Sequence, residues 1–182
     1  MTNVILFRAQ PFHNGHVYMI RKAMRDGMAN DNEVYVFVGS ADKSGTERNP
    51  IPIQWRLSLI KSSLYGILNG NERKHIHVYA LNDQTDESNN THEWGKYLYQ
   101  SIKEITHDDY MMLYYIDEPE IPLSWFGPEE REFVSFKFLP RYDDISATDV
   151  REAIKNDDLE RLRYMVPDYV YAHREEIKRY LK

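Results

Sequence analysis

Two groups of side chains in this sequence have types and spacings suited to chemistry. The first is His13 and His16, within Arg8-Ala9-Gln10-Pro11-Phe12-His13-Asn14-Gly15-His16. The apolar run Val4-Ile5-Leu6-Phe7 precedes it and an apolar pattern of helical period follows. A strand, a tight turn and a helix with His16 in its first turn would let both imidazoles face whatever lies over the helix N-terminus. That place attracts anions, because unbonded backbone N–H groups and the positive end of the helix dipole converge there. Two imidazole donors beside it would make a phosphate site without a Walker-type lysine loop. The second group is Ser146, Thr148 and Arg151, more than a hundred residues later. Ser146 and Asp149 have capping-box spacing, so a second helix opens at this point. Thr148 and Arg151 share one side of it, while Val150 and Ile154 face a core. A hydroxyl, a planar guanidinium and another helix N-terminus suit the opposite flank of the same polyphosphate.

The elements between these groups read as alternating strands and helices. The spacing predicts a first helix over residues 14–28, with Asn14 as its cap and Val17, Ile20, Met24 and Met28 on one stripe. Residues 33–38 form a nearly continuous apolar strand, as expected of a parallel strand covered on both faces. Gly39-Ser40 at its carboxyl end is placed to line a ligand crevice. Pro52 opens a second helix, whose stripe is Ile53, Leu57, Ile60, Leu64 and Leu68, with Arg56 off it. Residues 75–80 alternate as a third strand; His75 and His77 share one face and could hold a metal only with a third ligand. A polar loop from Leu81 leads to a helix over residues 91–105 with Trp94, Leu98, Ile102 and Ile105 on its apolar stripe. Strands at 110–116 and 134–139 flank a loop and short helix over 122–131. Helices at 157–164 and 167–181 close the chain. The pattern predicts an α/β fold with an open, doubly wound parallel sheet and a C-terminal helical segment. One domain over 1–182 is expected, with an α/β core to about residue 140 and the C-terminal motif and helices from about 141.

Composition narrows the function. A formal net charge of −6 over 182 residues argues against nucleic acid as the main partner. With no cysteine, thiolate metal sites, disulfides and Cys nucleophiles are excluded. No apolar window approaches membrane-spanning length and no signal peptide is legible, so a soluble, cytoplasmic protein without membrane contact is expected. Fourteen tyrosines would serve core packing or contacts in a homo-oligomer.

The two motifs resemble the H-x-G-H and I-S-x-T-x-x-R signatures of the nucleotidylyltransferase superfamily. Arg8-Ala9-Gln10-Pro11-Phe12-His13-Asn14-Gly15-His16 is most similar to the version found in archaeal-type nicotinamide mononucleotide adenylyltransferases, with Phe7 where that family usually has Gly and Ala9 where it has Phe. Gly39-Ser40-Ala41 and the later Asn49-Pro50 resemble the family's second loop. Asp117-Glu118-Pro119-Glu120 stands where the family usually shows Gly-Asn after the fourth strand. The resemblance runs the length of the chain, includes Arg56 and carries no appended hydrolase domain. It implies a Rossmann-like nucleotidylyltransferase fold. It further implies charge stabilisation by His13, His16 and Arg151, with ATP phosphate contacts from Arg8, Gln10, Gly39, Ser40, Lys43, Arg48, Ser146 and Thr148. Asp83 and Trp94 would then frame a nicotinamide ring, although Trp94 by itself reads as a core residue.

These residues include no Ser-His-Asp arrangement and no paired acid and base. Such a site suits a reaction in which a substrate phosphate, already ionised, attacks the α-phosphorus of a nucleoside triphosphate. The protein then has only to align two anions and stabilise charge. Mg2+ would travel on the triphosphate, with no protein metal site. The expectation is an adenylyltransferase joining nicotinamide mononucleotide and ATP to give NAD and pyrophosphate. The alternatives are transfer to another phosphorylated metabolite, or an ATP- or NAD-sensing module of the same fold without turnover.

Overall fold

The computed structural model describes residues 1–83, 92–116 and 118–182. Five strands, β1 (Thr2–Phe7), β2 (Val34–Val38), β3 (Ile76–Ala80), β4 (Met111–Ile116) and β5 (Val134–Leu139), form one sheet in the order β3-β2-β1-β4-β5. Every neighbouring pair is parallel. The chain winds outward from β1 to β3, then returns to the other side of β1 for β4 and β5. The strand order therefore reverses between β1 and β4, where open α/β sheets leave a crevice at the carboxyl ends of the strands. The doubly wound α/β fold expected from the alternation is the one that forms.

Side chains alternate across the sheet and sort into two cores. Ile5, Val36 and Val38 face one side, where α1 (Asn14–Asn30) contributes Met19 and Ile20 and α2 (Ile53–Ile67) contributes Leu59 and Ile60. Four more helices complete that layer: α6 (Ala147–Lys155), α7 (Leu159–Met165), α8 (Asp168–Ala172) and α9 (Arg174–Lys178), through Val150, Leu162, Val170 and Ile177. Val4, Phe37 and Leu113 face the other side and meet Leu98 and Ile102 of α3 (His92–Thr106) and Trp125 of α4 (Glu120–Trp125). A one-turn helix, α5 (Pro128–Arg131), links α4 to β5.

Four local readings change. The cap of α1 is His13, not Asn14. Arg56, expected off the apolar stripe of α2, is fully buried on the core face with Leu59, Ile60, Ser63 and Leu64. The last long helix is two short ones broken at His173, whose imidazole stacks on the Tyr169 ring at 4.2 Å and bonds the Tyr169 carbonyl at 2.8 Å. Between β4 and β5 lie two short helices in place of one. The third group beside His75 and His77 is Glu33, whose carboxylate oxygens lie 2.9 Å from His75 Nδ1 and 2.7 Å from His77 Nε2. Burial pushes the Glu33 carboxyl up, but the two imidazoles outweigh it and hold it below its ordinary value. The three side chains clip the edge strand β3 to the start of β2.

Helix α3 meets α4 with no room for a side chain at Gly95. A Cβ there would lie 1.9 Å from the Trp125 carbonyl oxygen and 2.5 Å from its carbon, both backbone atoms that cannot step aside. Gly95→Ala should therefore separate α3 from α4 and lower stability by about 3 kcal/mol, the upper part of the range for overpacking. Urea denaturation of the purified variant reads this directly; a midpoint equal to wild type would mean that α3 has room to shift.

Candidate active site

Helix α1 begins with a reciprocal pair of histidines. His13 Nδ1 accepts from the Gly15 backbone N–H at 3.1 Å, and His16 Nδ1 accepts from the His13 backbone N–H at 3.1 Å. This is a capping box in which imidazoles replace the usual hydroxyl and carboxylate. With both Nδ1 atoms accepting, each neutral ring carries its proton on Nε2. The rings stack at 3.7 Å, the stack continues from His16 to Phe12, nearly parallel at 5.6 Å, and Phe7 meets His16 at a tilt of 45° with centroids 4.4 Å apart. Both imidazoles are buried. Burial, and then the positive charge of Arg141, pull the His13 pKa down to about 4. Burial, and then His13, hold His16 well below its ordinary value. The residue between the histidines must be small: a Cβ on Gly15 would lie 2.9 Å from His13 Cε1.

Two loops flank this pair, one after β1 and one after β2. Gln10 is buried and joins them, accepting from Ile51 N–H at 2.9 Å and donating to Ile51 O at 3.2 Å. The Gln10–Pro11 peptide is cis. Arg56 lies beneath both loops and donates from Nη1 to the carbonyls of Arg8 (2.9 Å) and Gly39 (2.8 Å) and from Nη2 to that of Ser40 (2.8 Å). Its pKa is lowered to about 10 by burial, so it remains charged at neutral pH. The Ser40 N–H donates to Asp83 Oδ1 at 3.2 Å, and Lys43 Nζ lies 3.3 Å from Asp83 Oδ2. Arg48 is exposed on the second loop.

The C-terminal motif closes the opposite flank. Ser146 caps α6, accepting from Asp149 N–H at 3.2 Å and donating to the Asp149 carboxylate, as its spacing predicts. The Ile145 carbonyl lies 3.7 Å from the Cβ position of Gly15, so the N-termini of α1 and α6 are adjacent. Arg151 reaches across 141 positions to donate from Nη1 to the Gln10 carbonyl at 2.8 Å, and from Nη2 to Thr148 Oγ1 at 3.2 Å.

The structure thus gathers His13, His16, Gln10, Ser146, Thr148 and Arg151 at one place, with Arg8, Gly39, Ser40, Lys43 and Asp83 along the adjoining loops. Trp94 lies against the second core. It is half-buried against Trp125, edge-on at 6.3 Å, and Tyr97 at 5.6 Å; the Tyr97 hydroxyl donates to the Asn82 carbonyl next to Asp83. Trp94 packs against the second core, and its neighbour Tyr97 reaches the loop that carries Asp83. Asp117 lies outside the described residues; Glu118 and Glu120 are exposed. Two residues near the site had no role assigned from the sequence. Arg141 bears electrostatically on His13, and its position at the carboxyl end of β5 was the available signal. Arg56 was noticed, but nothing in its local pattern marked it as buried.

The model of the cytidylyltransferase-like family matches residues 8–153, which include both motifs. The chain belongs to this family. Among curated relatives it is similar to the nicotinamide-nucleotide adenylyltransferase of Methanolobus tindarius, 40% identical over 57 residues, 31% of each chain. It is likewise similar to that of Methanocorpusculum labreanum, 41% identical over 61 residues, 33% of each. The matched stretch spans about a third of the length of these relatives. Of solved structures, a bifunctional NMN adenylyltransferase/ADP ribose pyrophosphatase from Francisella tularensis, complexed with AMP and a manganese ion, aligns with a TM-score of 0.64 at 21% identity, over 85% of this chain and 41% of that one. A Plasmodium falciparum nicotinic acid mononucleotide adenylyltransferase aligns with a TM-score of 0.61 at 10% identity, over 99% and 98%. At these identities the two structures support the fold. No helix among the described residues is long and apolar enough to cross a membrane.

The buried neutral histidines tie stability to pH. Between about pH 6.5 and pH 4 the unfolded chain binds a proton at His13 that the folded chain does not, so stability falls as pH falls through that window. His13 alone should cost about 2 kcal/mol between pH 7 and pH 5, with His16 adding in the same direction. Denaturant midpoints at both pH values, for wild type and His13→Gln, measure it; an equal decline in the two proteins would show that His13 is not the proton acceptor.

Proposed function

We propose that the chain transfers the adenylyl group of ATP to nicotinamide mononucleotide, forming NAD and releasing pyrophosphate. The observation that carries this reading is the pair of neutral imidazoles, each with its proton on Nε2, at the junction of two helix N-termini and beside Arg151. Hydrogen-bond donors fixed in advance are what a nucleotidyl transfer between two ionised phosphates requires. In the proposed reaction a phosphate oxygen of the mononucleotide attacks the α-phosphorus in line. One P–O bond forms, the bond to the oxygen bridging the α- and β-phosphorus breaks, and that oxygen leaves with its electron pair on pyrophosphate. No proton has to be removed from the attacking group, which agrees with imidazoles too buried to act as bases near neutral pH.

The roles divide by position. His13 and His16 donate to oxygens of the transferring phosphate, and Arg151 serves the triphosphate from the α6 side with Ser146 and Thr148. Arg8, Gln10, Gly39, Ser40, Lys43 and Arg48 line the side formed by the first two loops. Residues 141–182 thereby act with the α/β core as one nucleotidylyltransferase unit. Magnesium belongs to the nucleotide substrate here. Guanidinium, ammonium and imidazole Nε2–H groups hold anions, and a divalent ion carried by the triphosphate keeps most of its own water.

Recognition of the nicotinamide falls to Trp94 and the loop at Asp83. Trp94 offers a ring face to an aromatic cation, an attraction of about 1 to 2 kcal/mol when desolvated. Among the described residues each Asp83 oxygen has one partner, which leaves a lone pair for a carboxamide N–H. One observation favours nicotinic acid mononucleotide as a second reading: the Lys43 ammonium beside Asp83 would meet its carboxylate. The names of the curated relatives favour the amide.

Pyrophosphate release with ATP and each of a set of phosphorylated metabolites tests the assignment. ATP binding with no release from any of them would instead mean a sensing module. The amide mononucleotide should give the higher kcat/KM, and a wild type that prefers the acid form or uses neither removes the nicotinamide reading. His16→Ala should lower kcat by about two orders of magnitude, the scale for removing one preorganised donor. Near-normal turnover in folded His16→Ala protein would exclude the charge-stabilising role.

A further inference from the structure

Two residues of the loops beside the histidines have backbone in the left-handed region without being glycine: Ala9, with φ of 54°, and Ser40, with φ of 49°. Both are buried. Such conformations persist in L-residues only where their surroundings impose them, and they cluster at ligand sites. At each of the two, the peptide bond that adjoins the residue is held by the same group. Arg56 donates to the Arg8 carbonyl, in the peptide leading into Ala9, and to the Gly39 and Ser40 carbonyls, in the peptides on either side of Ser40. Asp83 holds the Ser40 N–H from the other side.

Arg56 is an unusual residue for this task. It is the largest fully buried side chain among the described residues. Its Nη atoms donate to three main-chain carbonyls, and its Nε has no acceptor among the described residues. A core residue placed only for packing would be apolar, because an interior guanidinium carries a heavy desolvation cost. A planar fork with several donors can bind two separate loops at once, which neither an apolar residue nor the point charge of lysine can reproduce.

We propose that Arg56 is a positioning residue for the nucleotide: its guanidinium clamps the loops after β1 and β2 together and holds Ala9 and Ser40 in the left-handed turns that shape the phosphate cradle. This rests on the nucleotide reading given above. The clamp accounts for an arginine on the core face of α2, and it acts through backbone atoms without touching the substrate.

The test is calorimetric binding of magnesium adenosine triphosphate, which needs neither turnover nor the second substrate. Arg56→Lys, shown to be folded by circular dichroism, should bind the nucleotide at least tenfold more weakly than wild type. Ala9→Gly, which adopts a positive φ without strain, should recover threefold or more of that loss in the Arg56→Lys background. Ser63→Ala, a change on the same buried face of α2 at a hydroxyl with no partner among the described residues, should bind as wild type does. Wild-type affinity in Arg56→Lys, or no recovery with Ala9→Gly, would overturn the clamp while leaving the nucleotide reading intact. A wild type that binds no nucleotide would overturn the nucleotide reading itself. Should Arg56→Lys not fold, the same measurement is made on Arg56→Lys/Ala9→Gly. Failure of that protein to fold as well would overturn the proposal by making Arg56 a requirement of the core.

Discussion

Helix α1 starts on an imidazole, and much of the site depends on that choice. An ordinary hydroxyl cap would satisfy the first-turn N–H groups equally well and leave nothing to do chemistry with. Using His13 and His16 for both halves of the capping box assigns Nδ1 of each ring to the backbone and so fixes the tautomer. Stacking on Phe12 and a tilted contact with Phe7 fix the ring plane of His16. The same burial that holds the rings keeps them uncharged. Helix initiation, side-chain orientation and protonation state are therefore one arrangement, and Gly15 is its steric condition, since any Cβ there would enter the His13 ring.

The parts of this arrangement that were legible in the sequence are those with short-range causes. A strand ending at Phe7, a glycine between two histidines and a Ser-x-x-Asp cap are local patterns, and the structure places each of these elements within a residue or two of where the pattern puts it. The doubly wound parallel sheet followed from alternation and spacing, because parallel strands joined by helices admit few windings. What stayed hidden depends on contacts across the fold. Arg56 has the same local neighbours whether it points to water or to the core; its burial is decided by carbonyls 16 to 48 positions away. The approach of α3 to α4 at Gly95 is equally invisible from either helix alone.

Trp94 shows a different limit. The sequence offered a core residue and a nicotinamide face as rival readings, and the structure packs the ring against the second core. Its ring is anchored edge-on against Trp125 within the second core, and Tyr97 ties the same helix to the loop at Asn82 and Asp83. A side chain at the margin of a core can be rigid on one side and available on the other, so an amphipathic stripe does not exclude it from a site.

The protein is acidic overall and yet gathers positive charge at the crevice, which the choice of partners for its arginines reconciles. On the surface, Arg161 pairs with the Asp149 carboxylate and Arg21 with Glu72, where each charge cancels another. At the crevice, Arg151 is held by a carbonyl and a hydroxyl, and Arg56 by three carbonyls. A carbonyl orients a guanidinium and offsets part of its desolvation but carries no net charge, so the field of the cation survives in the crevice. Local field, not the total of −6, is what a polyphosphate meets at contact distance, because solvent and salt screen the acidic surface beyond about 8 Å at physiological ionic strength. Neutral acceptors thus fix Arg151 in place with its charge uncancelled, while Arg56 adds its field from beneath the loops.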